Sequence, residues 1–197
     1  QLNIETVDAP QQEKLRRQLS RKEKLFKVLA LASGWFRSQL ISDDGRKAYE
    51  YLSKNRLINT TAIDSFQLGY APNKWDGLLI YLHKVENIPI ELIESVGLIV
   101  ARKGGVGFYD RFRNRLIVPI TDRQGRVIGF GGRSLDGSEP KYLNSPETEL
   151  FEKGKHLFGL DKAFNSIRKN DVAIVVEGYF DVIALHSSGI NNSVASL

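Results

Sequence analysis

The chain contains no cysteine in its 197 residues. Neither a disulfide nor a thiolate zinc site can therefore support the fold, and the redox compartment is left open by that test. Histidine is scarce as well. His83, His156 and His186 show no metal-ligand spacing and read as ordinary surface or helix-end residues. No apolar run approaches the roughly twenty residues needed to span a bilayer, and the N-terminus lacks the basic-then-apolar order of a signal peptide. The expectation is a soluble, cytoplasmic protein without a membrane partner. No internal repeat and no low-complexity segment stands out along the chain.

What is present suffices for a packed core. A hydrophobic content of 42% allows one large domain or two small ones. The formal charge is +5, and its distribution says more than its size. Between Arg102 and Arg133 stand eight basic and two acidic residues, a local charge of +6 that leaves −1 for the remainder. Such a confined excess is the electrostatic footprint of a phosphate-backbone binder.

The first third reads as helical. Leu15, Leu19, Phe26, Leu29, Phe36 and Leu40 recur at three- and four-residue steps or their sum, an amphipathic stripe whose polar side carries basic residues read as a solvated face. Asp43 or Asp44 can cap a second helix, and Thr60 or Thr61 a short third one. Trp75 to Val85 predicts another helix, and Ile90 to Val96 a further one that starts after Pro89 and ends at Gly97. From Leu98 the character turns to strands. Leu116–Thr121, Asp122–Gly125 and Arg126–Phe130 read as a hairpin, with Pro119 arguing for an edge or a bulge in the first arm. Leu157 to Ile167 predicts a linking helix.

The chain is organised around residues 172–181, Val-Ala-Ile-Val-Val-Glu-Gly-Tyr-Phe-Asp. Five aliphatic residues in a row predict a buried strand in the middle of a parallel sheet. Tyr179 to Ser187 predicts a helix stopped at Ser188-Gly189, and Ile190 to Leu197 opens a second strand. Glu177 then sits at the carboxyl end of a strand, where open α/β sheets place their ligands. Asp181, one helical turn on, can face the same pocket. Two such carboxylates suit Mg²⁺ shared with substrate phosphates, the chemistry of phosphoryl or nucleotidyl transfer.

These residues carry a resemblance. Glu177-Gly-Tyr-Phe-Asp181 is similar to the first motif of a TOPRIM domain. Upstream, 109–115 (Tyr-Asp-Arg-Phe-Arg-Asn-Arg), 125–133 (Gly-Arg-Val-Ile-Gly-Phe-Gly-Gly-Arg) and 140–148 (Pro-Lys-Tyr-Leu-Asn-Ser-Pro-Glu-Thr) resemble the RNA-polymerase domain of bacterial DnaG-type primases. Weaker similarity extends back through Gly69–Pro72 and Trp75-Asp76. The resemblance implies an α+β fold. A primase N-terminal subdomain, helical over 1–97 and basic and strand-rich over 98–170, precedes the first β-α-β of a TOPRIM fold over 171–197.

Site residues follow from the residues and the resemblance together. In an extended chain Arg111, Arg113 and Arg115 share one face, and with Arg133 they would line a groove for template DNA, Arg115 being the weakest of the four. Three of them, Arg111, Arg113 and Arg133, are also implied by the resemblance. Gly129–Gly132 would let backbone approach a ligand beside Arg133. Lys141 offers charge to a triphosphate, Tyr142 a flat face to a base or sugar, and Asn144 a polar reader. The resemblance places Lys141, Tyr142 and Asn144 in the nucleotide and catalytic region and adds Lys153. It assigns Glu177 the principal catalytic and metal role and Asp181 a supporting metal role, with Mg²⁺ or Mn²⁺ as cofactor.

The implied activity is that of a nucleotidyltransferase, a DNA-directed RNA polymerase making short primers at the bacterial replication fork. Its partners would be single-stranded DNA, ribonucleoside triphosphates, the RNA primer and, through a domain absent from this chain, the replicative helicase. Zinc would belong to a preceding domain, also absent. A TOPRIM site further needs an Asp-x-Asp element on a later strand, which is not found here. The expectation is a chain that binds nucleic acid but makes no primer alone. Rival readings are a topoisomerase or nuclease with a TOPRIM domain, a primase-helicase fusion of phage or organellar type, and a non-catalytic single-strand-binding platform.

Overall fold

The computed structural model describes residues 9–197. Helix α1 (Ala9–Leu40) runs 32 residues and forms the spine. It buries Leu25, Val28, Leu29, Ala32, Phe36 and Leu40, positions three and four apart on one face. The predicted stripe holds in its second half only. Leu15 is 52% exposed and Leu19 55%, because the body of the protein meets the helix from Leu25 onward and the whole of Pro10–Lys24 stands in solvent.

After α1 the chain builds one unit twice. The first comprises α2 (Arg46–Glu50), a π-helical turn Tyr51–Asn55, α3 (Thr60–Ser65) and β1 (Gly69–Ala71). The second comprises α4 (Gly77–Ile80), a π-helical turn Tyr81–Val85, α5 (Ile90–Ser95) and β2 (Ile99–Ala101), its parts 30 residues further on. Backbone details recur with the same offset. Leu57 and Asn87 both have φ of 54°. The N–H groups of Leu68 and Leu98 donate to the carbonyls of Ile63 and Ile93, closing both helices through Gln67 and Gly97 in the left-handed region. Leu52, Ile58, Ile63, Phe66 and Leu68 are buried, as are their counterparts Leu82, Ile88, Ile93, Val96 and Leu98. The expectation of no internal repeat is overturned. The same residue stands at four of these five buried pairs, Phe66 and Val96 being the exception, while most of the positions between them differ.

Two capping expectations also shift. Asn59, not Thr60 or Thr61, caps α3, its Oδ1 accepting from the Ala62 N–H at 2.8 Å. Asp43-Asp44-Gly45 forms a 3₁₀ turn ahead of α2, and neither aspartate caps it. The helix predicted from Trp75 starts at Gly77, and its first amides are capped from elsewhere, by Asp110.

Strand β2 pairs with β3 (Phe108–Asp110). The predicted hairpin is formed by β4 (Arg115–Thr121) and β5 (Val127–Ser134), which lie between β1 and β6 (Tyr142–Asn144) in an antiparallel sheet ordered β1-β4-β5-β6. Of the two options for Pro119, the edge holds: pairing with β1 stops at Ile117. The bulge lies in the other arm, where Ile120 faces Gly129 and Thr121 faces Val127, so that Ile128 of β5 is the extra residue. Leu116, Val118 and Ile120 enter one hydrophobic cluster with the first repeat unit, while Ile117 enters the other with the second unit. Strand β4 is therefore buried on both faces.

Helix α6 (Leu160–Asn170) starts three residues later than predicted, after Gly159 at φ 79°. It leads to β7 (Ile174–Val176), α7 (Tyr179–Ser187) and β8 (Ser193–Ala195), with β7 and β8 parallel. Helix α7 has the predicted bounds. Its end is closed by the Ile190 N–H on the Leu185 carbonyl and the Gly189 N–H on that of His186. The expectation that β7 is a buried central strand fails. Ile174 is 37% and Val175 68% exposed, because β8 is the strand's one neighbour among the described residues. Among these residues no helix is long and apolar enough to cross a membrane.

Strand β1 lies against α1 with no room between them, since a Cβ on Gly69 would come 2.6 Å from the Cβ of Phe36. Gly69→Ala is expected to lower unfolding stability by about 1–3 kcal/mol through overpacking. Chemical denaturation measures it, and an unchanged midpoint would mean that α1 and β1 are not held this closely.

Candidate nucleotide and nucleic-acid site

A cleft of about 370 Å³ opens where β6, the β7–α7 turn and the first repeat unit meet. Tyr142, Asn144, Glu177, Asp181 and Arg56 all line it. Four of the sequence-predicted residues are thus brought together from segments far apart in the chain.

The β7–α7 turn is docked on the sheet by Tyr179. A Cβ on Gly131 would lie 2.6 Å from the tyrosine ring, so the glycine is what lets the ring rest on β5. The Tyr179 hydroxyl donates to Asn144 Oδ1 at 2.9 Å, Phe158 packs edge-on with centroids 4.9 Å apart, and burial pushes the phenol up to about 12. Gly132 likewise makes room for Phe112, 2.8 Å from its would-be Cβ. The glycine cluster was expected to admit a ligand. In the fold, side chains of the protein itself fill those spaces.

Glu177 and Asp181 are exposed at the cleft. Asp181 lies in the first turn of α7, where the helix dipole favours a carboxylate. Among the described residues no group of three or more His, Cys, Asp or Glu could hold a metal ion, so an all-protein cage is not present there. Two carboxylates facing one cleft do fit Mg²⁺ or Mn²⁺, which can take its remaining ligands from substrate phosphates and water.

The arginines are distributed differently from expectation. Arg111 donates to the Asn144 carbonyl through Nε at 3.2 Å and Nη2 at 3.0 Å. Arg113 stacks on Trp75 at 4.6 Å and on Tyr109 at 4.9 Å. Arg115 is 6% exposed and donates to the Pro140 carbonyl at 2.8 Å. They do not share one face, because Asn114 takes a φ of 50° and breaks the alternation just before β4. Arg133 lies over Tyr142 and Tyr51, at 5.2 and 5.3 Å, and donates to the Tyr142 hydroxyl.

Lys141 is exposed just before β6 and Lys153 half-buried in a 3₁₀ turn, and neither lines the cleft. Arg56 went unnoticed in the sequence. Its Nε donates to the Tyr51 hydroxyl at 2.7 Å, and its guanidinium lies 5.1 Å from the Phe180 ring. The signal that could have found it is the repeat, in which Glu86 stands in its place and accepts from the Tyr81 hydroxyl at 2.8 Å.

Beneath the arginines, buried Asp110 accepts from the Leu78 and Leu79 amides at 2.8 and 2.9 Å and so caps α4. Burial pushes its carboxyl up to about 6. The folded protein therefore holds this proton more tightly than the unfolded chain, and the stabilisation, complete below about pH 4, is lost as pH rises through 6. Asp110→Asn should flatten the pH dependence of unfolding free energy between about pH 4 and 6, a difference on the order of 3 kcal/mol. Parallel slopes for the two proteins over that range would contradict the assignment.

Comparison with known proteins agrees with this geometry. Residues 35–164 match the family model of the DNA primase catalytic core, N-terminal domain, and residues 171–197 match that of the Toprim domain. A DNA primase of Synechococcus elongatus is 55% identical over all 197 residues, which cover 28% of its length. The chain thus spans under a third of such relatives. Among solved structures, the RNA polymerase domain of Mycobacterium tuberculosis primase DnaG, in complex with a double-stranded DNA oligomer carrying a 6-nucleotide overhang, superposes with a TM-score of 0.82 at 38% identity. The match covers 88% of this chain and 54% of that one. A DnaG primase catalytic domain bound to single-stranded DNA gives 0.79 at 38% identity, covering 91% and 55%.

Proposed function

The chain belongs to the DNA primase catalytic core family, and from that premise we propose that it is part of a polymerase that lays short RNA primers on single-stranded DNA. The observation that carries the reading is the cleft in which Glu177 and Asp181 face Tyr142, Asn144 and Arg56. In the reaction a 3′-hydroxyl attacks the α-phosphorus of a ribonucleoside triphosphate, the new phosphodiester forms, and pyrophosphate leaves. Mg²⁺ or Mn²⁺ held by Glu177, Asp181 and the nucleotide would neutralise charge on the attacking and leaving oxygens. Tyr142 offers its half-exposed ring to a base or sugar. Asn144, whose side chain is held by the Tyr179 hydroxyl and whose main-chain carbonyl is held by Arg111, would serve as a reader. Lys141 and Lys153 flank the cleft in sequence and would meet the triphosphate.

For the template we propose Arg111, Arg113 and Arg133. Arg113 with Trp75, which is 63% exposed, and Tyr109 forms a ready stacking platform for bases, with the guanidinium available to a phosphate. Arg115, buried against main-chain carbonyls, would serve the groove by holding β4 in place. That only two carboxylates meet at the cleft supports the reading that this chain needs further residues of the parent protein to polymerise, while its arginines support binding of nucleic acid. The parent protein would carry zinc in a separate domain and meet the helicase through another, at the replication fork in the bacterial cytoplasm.

Arg111→Ala/Arg113→Ala should weaken binding of a short single-stranded DNA and flatten the log–log salt slope by about 0.7 for each phosphate no longer neutralised. Fluorescence anisotropy across a salt series measures this, and an unchanged slope removes these arginines from the template path. In a complete primase carrying this domain, the counterpart of Glu177→Gln should abolish primer synthesis while leaving single-strand affinity within about twofold. Retained synthesis would leave a non-catalytic binding platform as the better reading.

A further inference from the structure

The charge of this chain sits in two places. Apart from the 102–133 stretch, residues 13–27 carry seven basic and two acidic side chains, and everything outside the two stretches is net acidic. The second basic stretch is the half of α1 that leaves the body of the protein. Two of its acid–base pairs are made, Arg17 with Glu13 at 2.9 Å and Arg21 with Glu149 at 2.7 Å. Lys14, Arg16, Lys22, Lys24 and Lys27 form no ion pair among the described residues.

A groove of about 440 Å³ lies between this part of α1 and α5, with Arg16, Arg17, Arg21 and Lys24 along one wall beside Ser20 and the paired Glu13, and Leu92 on the other. From Lys14 to Lys27 the helix spans about 20 Å. That is the length of about six phosphates at the spacing of one stacked strand. Arg21 ties the helix, through Glu149, to the segment that leaves Asn144 after β6, so the two basic regions are joined through the same wall of the protein.

We infer that the exposed basic half of α1, with the groove beside α5, is a second nucleic-acid track that holds the phosphates of single-stranded DNA extending beyond the arginine groove. A polyanion fits better than an acidic helix. The basic side chains surround the helix on several sides, whereas a helical partner would need one apolar seam, and the Leu15–Leu19 pair is too short to form it. The inference rests on the proposed single-strand binding by this chain.

The test compares a short oligonucleotide of about 8 nucleotides with a long one of about 30 nucleotides, using residues 1–197 and the variant Arg16→Ala/Lys24→Ala. Both side chains are exposed, and circular dichroism with a melting curve verifies the fold. For the long strand the variant should bind more weakly, with a salt slope flatter by about 1.4, the equivalent of two phosphates; for the short strand it should match the parent. An unchanged slope with the long strand overturns the inference, as does an equal weakening with both lengths, which would make α1 part of the primary groove. Failure of the short strand to bind the parent protein would instead strike at the single-strand reading itself.

Discussion

Strand β4 has no wet face. Leu116, Val118 and Ile120 point into one hydrophobic cluster and Ile117 into the other, so the two halves of the core share a wall one strand thick. Each repeat unit supplies one cluster and α1 closes both, burying Leu25 to Phe36 against the second unit and Leu40 against the first. Moving that strand by one residue would exchange the two sets of side chains and break both cores at once. The register of the hairpin is therefore held from both sides, and with it the positions of Arg115, Arg133 and β6.

The site inherits its geometry from this wall. Strand β5 carries glycines where other elements must come close, and Gly131 receives the Tyr179 ring. The tyrosine hydroxyl then holds Asn144, whose carbonyl in turn holds Arg111. One chain of contacts runs from the sheet through Tyr179 and Asn144 to Arg111, so a change at Gly131 would be felt at side chains it never touches. The carboxylates stand at the same, N-terminal end of the docked helix, exposed and in one cleft, while the cations around them are stacked on aromatic rings. Such stacking leaves guanidinium charge available while limiting its motion.

The two basic regions differ in construction. Arg111, Arg113, Arg115 and Arg133 are partly or fully buried and held by carbonyls or rings, and so are preorganised. The cations of α1 stand on an exposed helix with long, mobile side chains, suited to contacts of low specificity with a charged backbone. Outside these two regions the chain is net acidic.

Local sequence determined much of this protein. Helix α7 with its glycine stop, the β4–β5 hairpin, the helical first third and the carboxylate pair at Glu177 and Asp181 were legible because each is specified by neighbouring residues: periodicity, a turn or a cap. Membership of the primase family was legible from four motifs for the same reason. Tertiary structure alone decided the rest. The burial of β4 rather than β7 depends on which strands lie beside each. The withdrawal of Arg115 into the core, its parting from Arg113 at the left-handed Asn114, and the arrival of Arg56 at the cleft all depend on contacts between distant segments. The repeat escaped notice because burial constrains size and apolarity but leaves the surface letters free to differ.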